Sequence, residues 1–168
     1  MANKSRSFLK NQNRDFNNVL DSMLTRDTIV NTLTPAATVT ITRESHSGKL
    51  NLIPSTATAN DSYVLPTGAV VGETYNFAWS GVAADADNIL FRSSAADGLT
   101  FSGGVLQFDT NEDDAAVQTI AYPGADDDKL TITNVQNFNL TFVATAATSY
   151  HVTGYAASTD TATAFGDQ

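Results

Sequence analysis

The sequence predicts a mainly β protein, an antiparallel β-sandwich or jelly roll with an N-terminal arm and a short α-helix. Short apolar runs after Pro35 alternate with a period of two, and closely spaced turn residues separate them. Helical apolar spacing occurs only in the N-terminal part of the chain. The length of 168 residues suits one domain, and a hydrophobic content of 42% is enough for a packed core.

Residues 1–34 are predicted to form a basic arm followed by one helix. Residues 1–10 are polar and basic, and the apolar stretch of a signal peptide does not follow them. From Asn13 onward, apolar residues recur with the spacing of one helix face, and polar Asp27 lies where this stripe would continue. The helix is therefore expected to end near Thr25–Asp27, and Thr34 before Pro35 marks a second boundary.

This N-terminal segment is the predicted assembly element. An isolated helix of about three turns does not persist in water, so its apolar stripe must pack against another surface. The body of the same chain could supply that surface, as could a neighbouring subunit or a shell beneath, and an intermolecular partner is the favoured interpretation. The residues predicted to bind the partner are Phe8, Leu9, Phe16, Val19, Leu20, Met23 and Leu24.

Residues 35–156 are predicted to form the β body, with roughly eight to ten short strands separated by turn signals such as Ser47-Gly48 and Pro123-Gly124. A closed barrel is the alternative. Residues 157–168 are small and polar, with only Phe165 to bury, and are expected to form a fraying tail. The predicted inward-facing residues are Val39, Ile41, Leu50, Leu52, Tyr75, Phe77, Trp79, Leu130, Ile132, Phe138, Leu140 and Phe142.

Thr, Ala, Ser and Asn occupy most outward positions of the predicted strands, where Lys and Glu are usual. Two interpretations stay open. The residues form the polar surface of a free monomer, or they mark faces that pack on other subunits, because charged residues are depleted at interface cores.

Charge is distributed unevenly along the chain. Residues 1–49 carry seven Lys or Arg against four Asp or Glu, a net charge of +3, whereas residues 50–168 carry two against 14, a net charge of −12. Neutralising phosphates needs clustered Lys and Arg, so no nucleic-acid partner is predicted for the acidic body. No apolar run approaches the roughly 20 residues that span a bilayer, so a soluble protein without a membrane partner is predicted.

Residue patterns for catalysis are sparse. The chain has no cysteine, which excludes thiol catalysis, disulfides and zinc–thiolate sites. Its histidines are His46 in a predicted turn and His151 in a predicted strand, and the chain has neither a Gly-x-Ser-x-Gly motif nor a glycine-rich nucleotide-binding loop. The sequence therefore predicts no enzyme, no catalytic residue and no cofactor.

Acidic clusters are the candidates for metal binding. Asp109, Asn111 and Asp113 match the opening Asp-x-Asn-x-Asp of a calcium loop. An EF-hand is excluded, because Asp114 stands where that loop needs glycine and Ile120 where it needs glutamate. A weak surface calcium site at the first three residues is the alternative to solvated turn residues.

Five short segments within residues 36–156 together form one layout. In it a Leu-Pro pair closes a strand, a Gly-x-x-Tyr-x-Phe strand follows, and an aromatic-x-Val-x-Gly strand ends the domain. The segments are Tyr63-Val-Leu-Pro66, Gly72-Glu-Thr-Tyr75-Asn-Phe77, Asn88-Ile-Leu-Phe91, Asp97-Gly-Leu-Thr-Phe101-Ser-Gly-Gly104 and Ser149-Tyr-His-Val-Thr-Gly154. This layout resembles the β-rich decoration and accessory proteins of tailed-bacteriophage virions. Tyr150 stands where a tryptophan is common in those proteins.

The resemblance implies a non-enzymatic virion protein, made in the host cytoplasm, that binds the exterior of a phage capsid as a decoration or cement protein. Its implied partners are the major capsid protein or another virion protein, and further copies of itself in a homo-oligomer, expected to be a trimer. The alternative is a fibre, vertex or receptor-binding module that contacts host glycans through loops such as Ala83–Asn88 or Asn111–Ala115.

Overall fold

Two β-sheets and one short helix make up the part of the chain that the computed structural model describes, which is residues 30–83, 86–94, 98–110, 117–121, 127–159 and 164–167. The helix, α1, spans Arg43–His46. The strands are β1 (Val30–Thr32), β2 (Thr38–Thr40), β3 (Leu50–Ile53), β4 (Asn60–Val64), β5 (Thr74–Trp79), β6 (Asn88–Arg92), β7 (Thr100–Asp109), β8 (Val117–Ala121), β9 (Lys129–Ile132), β10 (Val135–Ala146), β11 (Ser149–Ser158) and β12 (Ala164–Gly166). The predicted mainly β fold class is confirmed.

The strands form a seven-stranded sheet with the order β1-β3-β5-β10-β11-β7-β8 and a five-stranded sheet with the order β12-β9-β6-β4-β2. Side chains from one face of each sheet meet in a common hydrophobic core. This two-layer arrangement agrees with the predicted sandwich.

The first six strands alternate between the two sheets. β1, β3 and β5 are parallel neighbours in the seven-stranded sheet, and β2, β4 and β6 are parallel neighbours in the five-stranded sheet. Partner residues in successive turns lie between 20 (Val30 and Leu50) and 28 (Asn60 and Asn88) positions apart. This half of the chain therefore winds as a coil of three turns, and each of the strands β2 to β5 serves as the crossover between two neighbouring strands of the other sheet.

The antiparallel expectation holds for only part of the sheets, because five of the ten pairings among the described strands are parallel. The β10–β11 hairpin, the β5–β10 and β7–β8 pairs, and the pairs that β9 forms with β6 and β12 are antiparallel. Parallel neighbours need a long crossover, and here a strand in the opposite sheet provides it in place of a helix.

The core centres on Phe91, whose side chain is fully buried. Its ring centroid lies 4.9 Å from that of Phe77, 5.0 Å from Phe142, 5.6 Å from Tyr63 and 6.0 Å from Phe138. Phe91 and Tyr63 come from the five-stranded sheet and the other three from the seven-stranded sheet, so this cluster joins the two layers. Such tilted and edge-on ring pairs add stability beyond area burial.

Most of the predicted inward-facing residues are confirmed. Val39 is partly buried against the core, and those buried are Ile41, Tyr75, Phe77, Trp79, Leu130, Ile132, Phe138, Leu140 and Phe142. The prediction was wrong for Leu50 and Leu52, which are half-buried on the outward side of β3, opposite Asn76 and Ala78. Asn51 faces inward in their place.

The β body extends beyond its predicted limits at both ends. β1 and the buried Leu33 lie within the predicted N-terminal segment, so the body begins before Pro35. β11 continues to Ser158, and part of the predicted tail forms β12, which pairs with β9 and buries Phe165 against Phe101. The predicted helix from Asn13 to Asp27 lies outside the described residues.

Candidate functional site

The side of the seven-stranded sheet that points away from the core is the first candidate surface, called here the outer face. Strand register assigns its positions, because residues alternate between the two sides along each strand. These positions are Val30, Thr32, Leu50, Leu52, Thr74, Asn76, Ala78, Ser102, Gly104, Leu106, Phe108, Thr119, Asn137, Asn139, Thr141, Val143, His151, Thr153, Tyr155 and Ala157. None of them is Asp, Glu, Lys or Arg.

Exposed apolar side chains lie near both margins of the outer face. Leu106 and Phe108 on β7 are 44% and 38% exposed, and Val30 on the edge strand β1 is 43% exposed. The Phe108 ring packs edge-on against Tyr155 of β11 with centroids 6.0 Å apart, so these three side chains of β7 and β11 form one apolar corner. An apolar patch on an uncharged sheet face is typical of a surface that binds another protein.

A serine and a histidine of the neighbouring strands β7 and β11 meet on the outer face. Ser102 Oγ lies 3.3 Å from His151 Nδ1, and Gly103 (φ +99°) makes this close approach of β7 and β11 possible, because a Cβ there would lie 2.2 Å from the Val152 carbonyl oxygen. A catalytic triad also needs a carboxylate to orient the imidazole, and the described positions of the outer face provide none. The arrangement is that of a polar contact between neighbouring strands.

A pocket of about 390 Å³ is the second candidate site, at the end of the sandwich where the chain passes from the five-stranded to the seven-stranded sheet. Arg43 forms a salt bridge with Glu73 and donates a hydrogen bond to the Gly68 carbonyl at 2.9 Å. The Tyr75 hydroxyl donates to Glu73 Oε2 at 3.2 Å, and the Tyr150 hydroxyl donates to the Pro66 carbonyl at 2.7 Å. These bonds hold the loop between β4 and β5 against the strands.

Two tyrosines, Tyr75 in the pocket lining and Tyr150 bonded to the lining residue Pro66, stay protonated at neutral pH. Burial, together with the negative charge of Glu73, raises the pKa of Tyr75 to about 12. Burial likewise raises the pKa of Tyr150, with a smaller contribution from Tyr75. The pocket therefore offers a guanidinium, a carboxylate and a neutral hydroxyl, groups that suit a polar ligand and are already bonded to one another.

The sequence-predicted site residues fall mostly outside the described part of the chain. The seven apolar residues of the N-terminal segment lie there, as do Asn111 and Asp113. Asp109 ends β7 on the inward side and is 4% exposed. Within the described ranges no three His, Asp or Glu side chains come close enough to hold a metal ion, and the calcium site stays a prediction.

Sequence reasoning did not locate the outer face, although it noted the scarcity of charge at outward strand positions. The outer face can be located only from the order of strands in the sheet, because it combines β1, β3 and β5 with β7 and β11, which are far away in the sequence. It also missed the salt bridge of Arg43 with Glu73, because these residues lie in loops and short elements 30 positions apart.

Comparison with protein-family models finds no match to this chain, and comparison with curated proteins finds no significant similarity. In the described ranges, no helix has the length and the apolar content needed to cross a bilayer.

Proposed function

We propose that this protein is a non-enzymatic structural component of a tailed-bacteriophage virion that binds the exterior of the capsid as a decoration, or cement, protein. The observation that carries the proposal is the uncharged outer face of the seven-stranded sheet, which suits packing against other subunits. The assignment to a phage virion rests on the sequence layout, which resembles that of phage decoration proteins. Many modest contacts repeated over a symmetric shell stabilise it without an active site.

In this proposal the N-terminal segment contacts the shell. Residues 1–29 carry five Lys or Arg against three Asp, and they include the apolar stripe from Phe8 to Leu24. The positive charge steers the segment to an acidic capsid surface, and the apolar residues supply most of the affinity. The partners are the major capsid protein or another virion protein, with the chain itself assembled as a homo-oligomer, a trimer at the three-fold positions of an icosahedral shell.

Removal of residues 1–29 tests the proposal. The cut is placed there because β1 and Leu33 belong to the folded body. The truncated chain is expected to keep its β circular-dichroism spectrum and to lose co-sedimentation with phage particles that lack this protein, whereas the full chain binds them. A full chain that fails to bind contradicts the proposed function. A truncated chain that fails to fold shows that the stripe packs on the body.

A fibre, vertex or receptor-binding role is the second candidate, and the pocket beside Arg43 and Glu73 is the observation that favours it. The guanidinium can donate hydrogen bonds to sugar hydroxyls, and the carboxylate can accept them. Binding to a glycan array that is lost in Glu73→Gln would support this second role over decoration.

A further inference from the structure

We propose that the outer face of the seven-stranded sheet is the surface through which copies of this chain associate with one another. The inference rests on the proposed function only in that a repeating structural protein needs contacts between its copies. It names the surface that supplies them, and it is tested on the purified protein without any particle.

Charge favours a second copy as the occupant. A symmetric contact brings identical residues together near its axis, so a charge placed there meets its own copy. The described positions of the outer face carry no charge. The five-stranded sheet differs, because Arg92 and Lys129, the two cations of residues 50–168, are cross-strand partners on its outward side. The outer face is thus the sheet face that two copies can share without placing like charges against each other.

The apolar side chains of the outer face supply the contact. Leu106, Phe108 and Val30 are exposed near its two margins, and half-buried Leu50 and Leu52 lie one strand inward from Val30. Burial of exposed apolar surface is the main driving force of protein association. The uncharged Thr and Asn side chains between the margins pack or hydrogen-bond at low desolvation cost compared with charged groups.

The size of the face suits a contact between subunits. Six spacings of about 4.8 Å between seven strands, and a length of about 20 Å from Asn137 to Val143, give roughly 600 Å² in projection. Side-chain relief raises the accessible area toward the about 800 Å² that each partner buries in a standard interface.

The chain's own N-terminal segment fits this face less well. Residues 1–29 have a net charge of +2, and the described part of the outer face holds no carboxylate to pair with it. A neutral surface is complementary to another neutral surface, and a second copy provides one.

Sedimentation analysis of the full chain tests the inference, with charge placed on either sheet. Thr153→Glu puts a carboxylate at an exposed position of the outer face, and Thr38→Glu makes the same change at an exposed strand position of the five-stranded sheet. Leu106→Glu is the second outer-face variant. We expect a wild-type mass of two or three chains, monomers for both outer-face variants with unchanged β circular dichroism, and the wild-type mass for Thr38→Glu.

Salt provides an independent readout. The chain has a net charge of −9, so copies that meet through an uncharged face repel each other through the rest of their surface. Added salt screens this repulsion, and self-association is expected to strengthen as ionic strength rises. Contacts between the basic segment and an acidic body would weaken instead.

The inference is overturned by a wild-type chain that stays monomeric, by outer-face variants that stay oligomeric, by a Thr38→Glu variant that dissociates equally, or by association that weakens with salt. If the wild type is a monomer and removal of residues 1–29 makes it associate, the N-terminal segment covers the face. Particle binding by a monomeric chain would support the proposed function and contradict this inference. An oligomer that binds no particle would support this inference and contradict the proposed function.

Discussion

Phe91 is the residue on which the packing of the two sheets depends most. It is fully buried and contacts four aromatic rings, two on β10, one on β4 and one on β5. Phe91→Ala is expected to lower the free energy of unfolding by about 3–5 kcal/mol, because it removes these contacts and leaves a cavity between the layers.

Phe108→Ala is the matched control, since Phe108 is 38% exposed on the outer face. Its loss of stability is expected to be much smaller. Denaturant unfolding followed by circular dichroism measures both variants, and equal losses would contradict the assigned sides of the sheets.

His46 makes the stability of the fold depend on pH. Burial lowers the pKa of its imidazole, and the Thr42 backbone N–H donates to its Nδ1 at 2.9 Å. The unfolded chain, with a pKa of 6.5, takes up the proton first as the pH falls. The contribution of His46 is therefore complete above the unfolded value and is lost as the pH falls below it.

We expect the melting temperature to fall between pH 6.5 and about 5, a range in which ordinary carboxyl groups are still ionised. His46→Gln is expected to reduce this fall in melting temperature. His151→Gln, which replaces an exposed imidazole, is expected to show the same fall as the wild type. Melting curves recorded across this range measure the effect. A wild-type melting temperature that rises as the pH falls would contradict the assignment to buried His46.

At the scale of elements, β3 is a strand in which the alternation of apolar and polar residues predicts the wrong inward side. Asn51 Nδ2 donates to the His46 and Asn76 carbonyls at 3.1 and 3.0 Å, and its side chain is fully buried. Hydrogen bonding thus makes a polar residue the inward one. Asn51→Leu is expected to lower the free energy of unfolding by about 1–3 kcal/mol, because the His46 and Asn76 carbonyls lose this hydrogen-bond donor.

Leu52→Thr is the control on the other side of β3, where a half-buried β-branched polar residue is compatible with a strand. Denaturant unfolding is expected to show a smaller loss for this variant than for Asn51→Leu. The opposite order would show that the leucines face the core, as the sequence alone predicted.

Alternation of apolar residues predicted strands such as β5 and β10, but it did not indicate β4 (Asn60–Val64). The end of β4 was expected only from the Tyr63-Val-Leu-Pro66 segment of the phage-like layout. Buried Asp61 accepts hydrogen bonds from the backbone N–H groups of Ala57 and Thr58, at 2.7 and 2.9 Å, so a carboxylate stabilises the turn before the strand. Hydropathy alone does not reveal such a residue as buried.

Strand direction was equally inaccessible to pattern analysis. Alternation assigns a residue to a side of a sheet, but it says nothing of which strand lies alongside. Tyr75, Phe77 and Trp79 were placed correctly, yet the parallel partner of their strand, β3, is fixed by the coil of the first six strands. The outer face, which collects positions from strands far apart in the sequence, was unpredictable for the same reason.

At the scale of the whole molecule, the fold separates two tasks. The aromatic core between the layers holds the sandwich together. The outer face of the seven-stranded sheet, whose described positions carry no charged side chain, is available for contacts with other chains. The basic N-terminal segment enters the fold at β1, the edge strand of that same sheet.

The copy number of this protein in purified particles of the proposed source phage tests the central proposal most directly. Quantitative mass spectrometry against the major capsid protein measures it. A decoration protein repeated over a symmetric shell is expected at on the order of hundreds of copies per particle. A few tens of copies or fewer would favour a fibre or vertex, and absence from the particle would contradict a virion role.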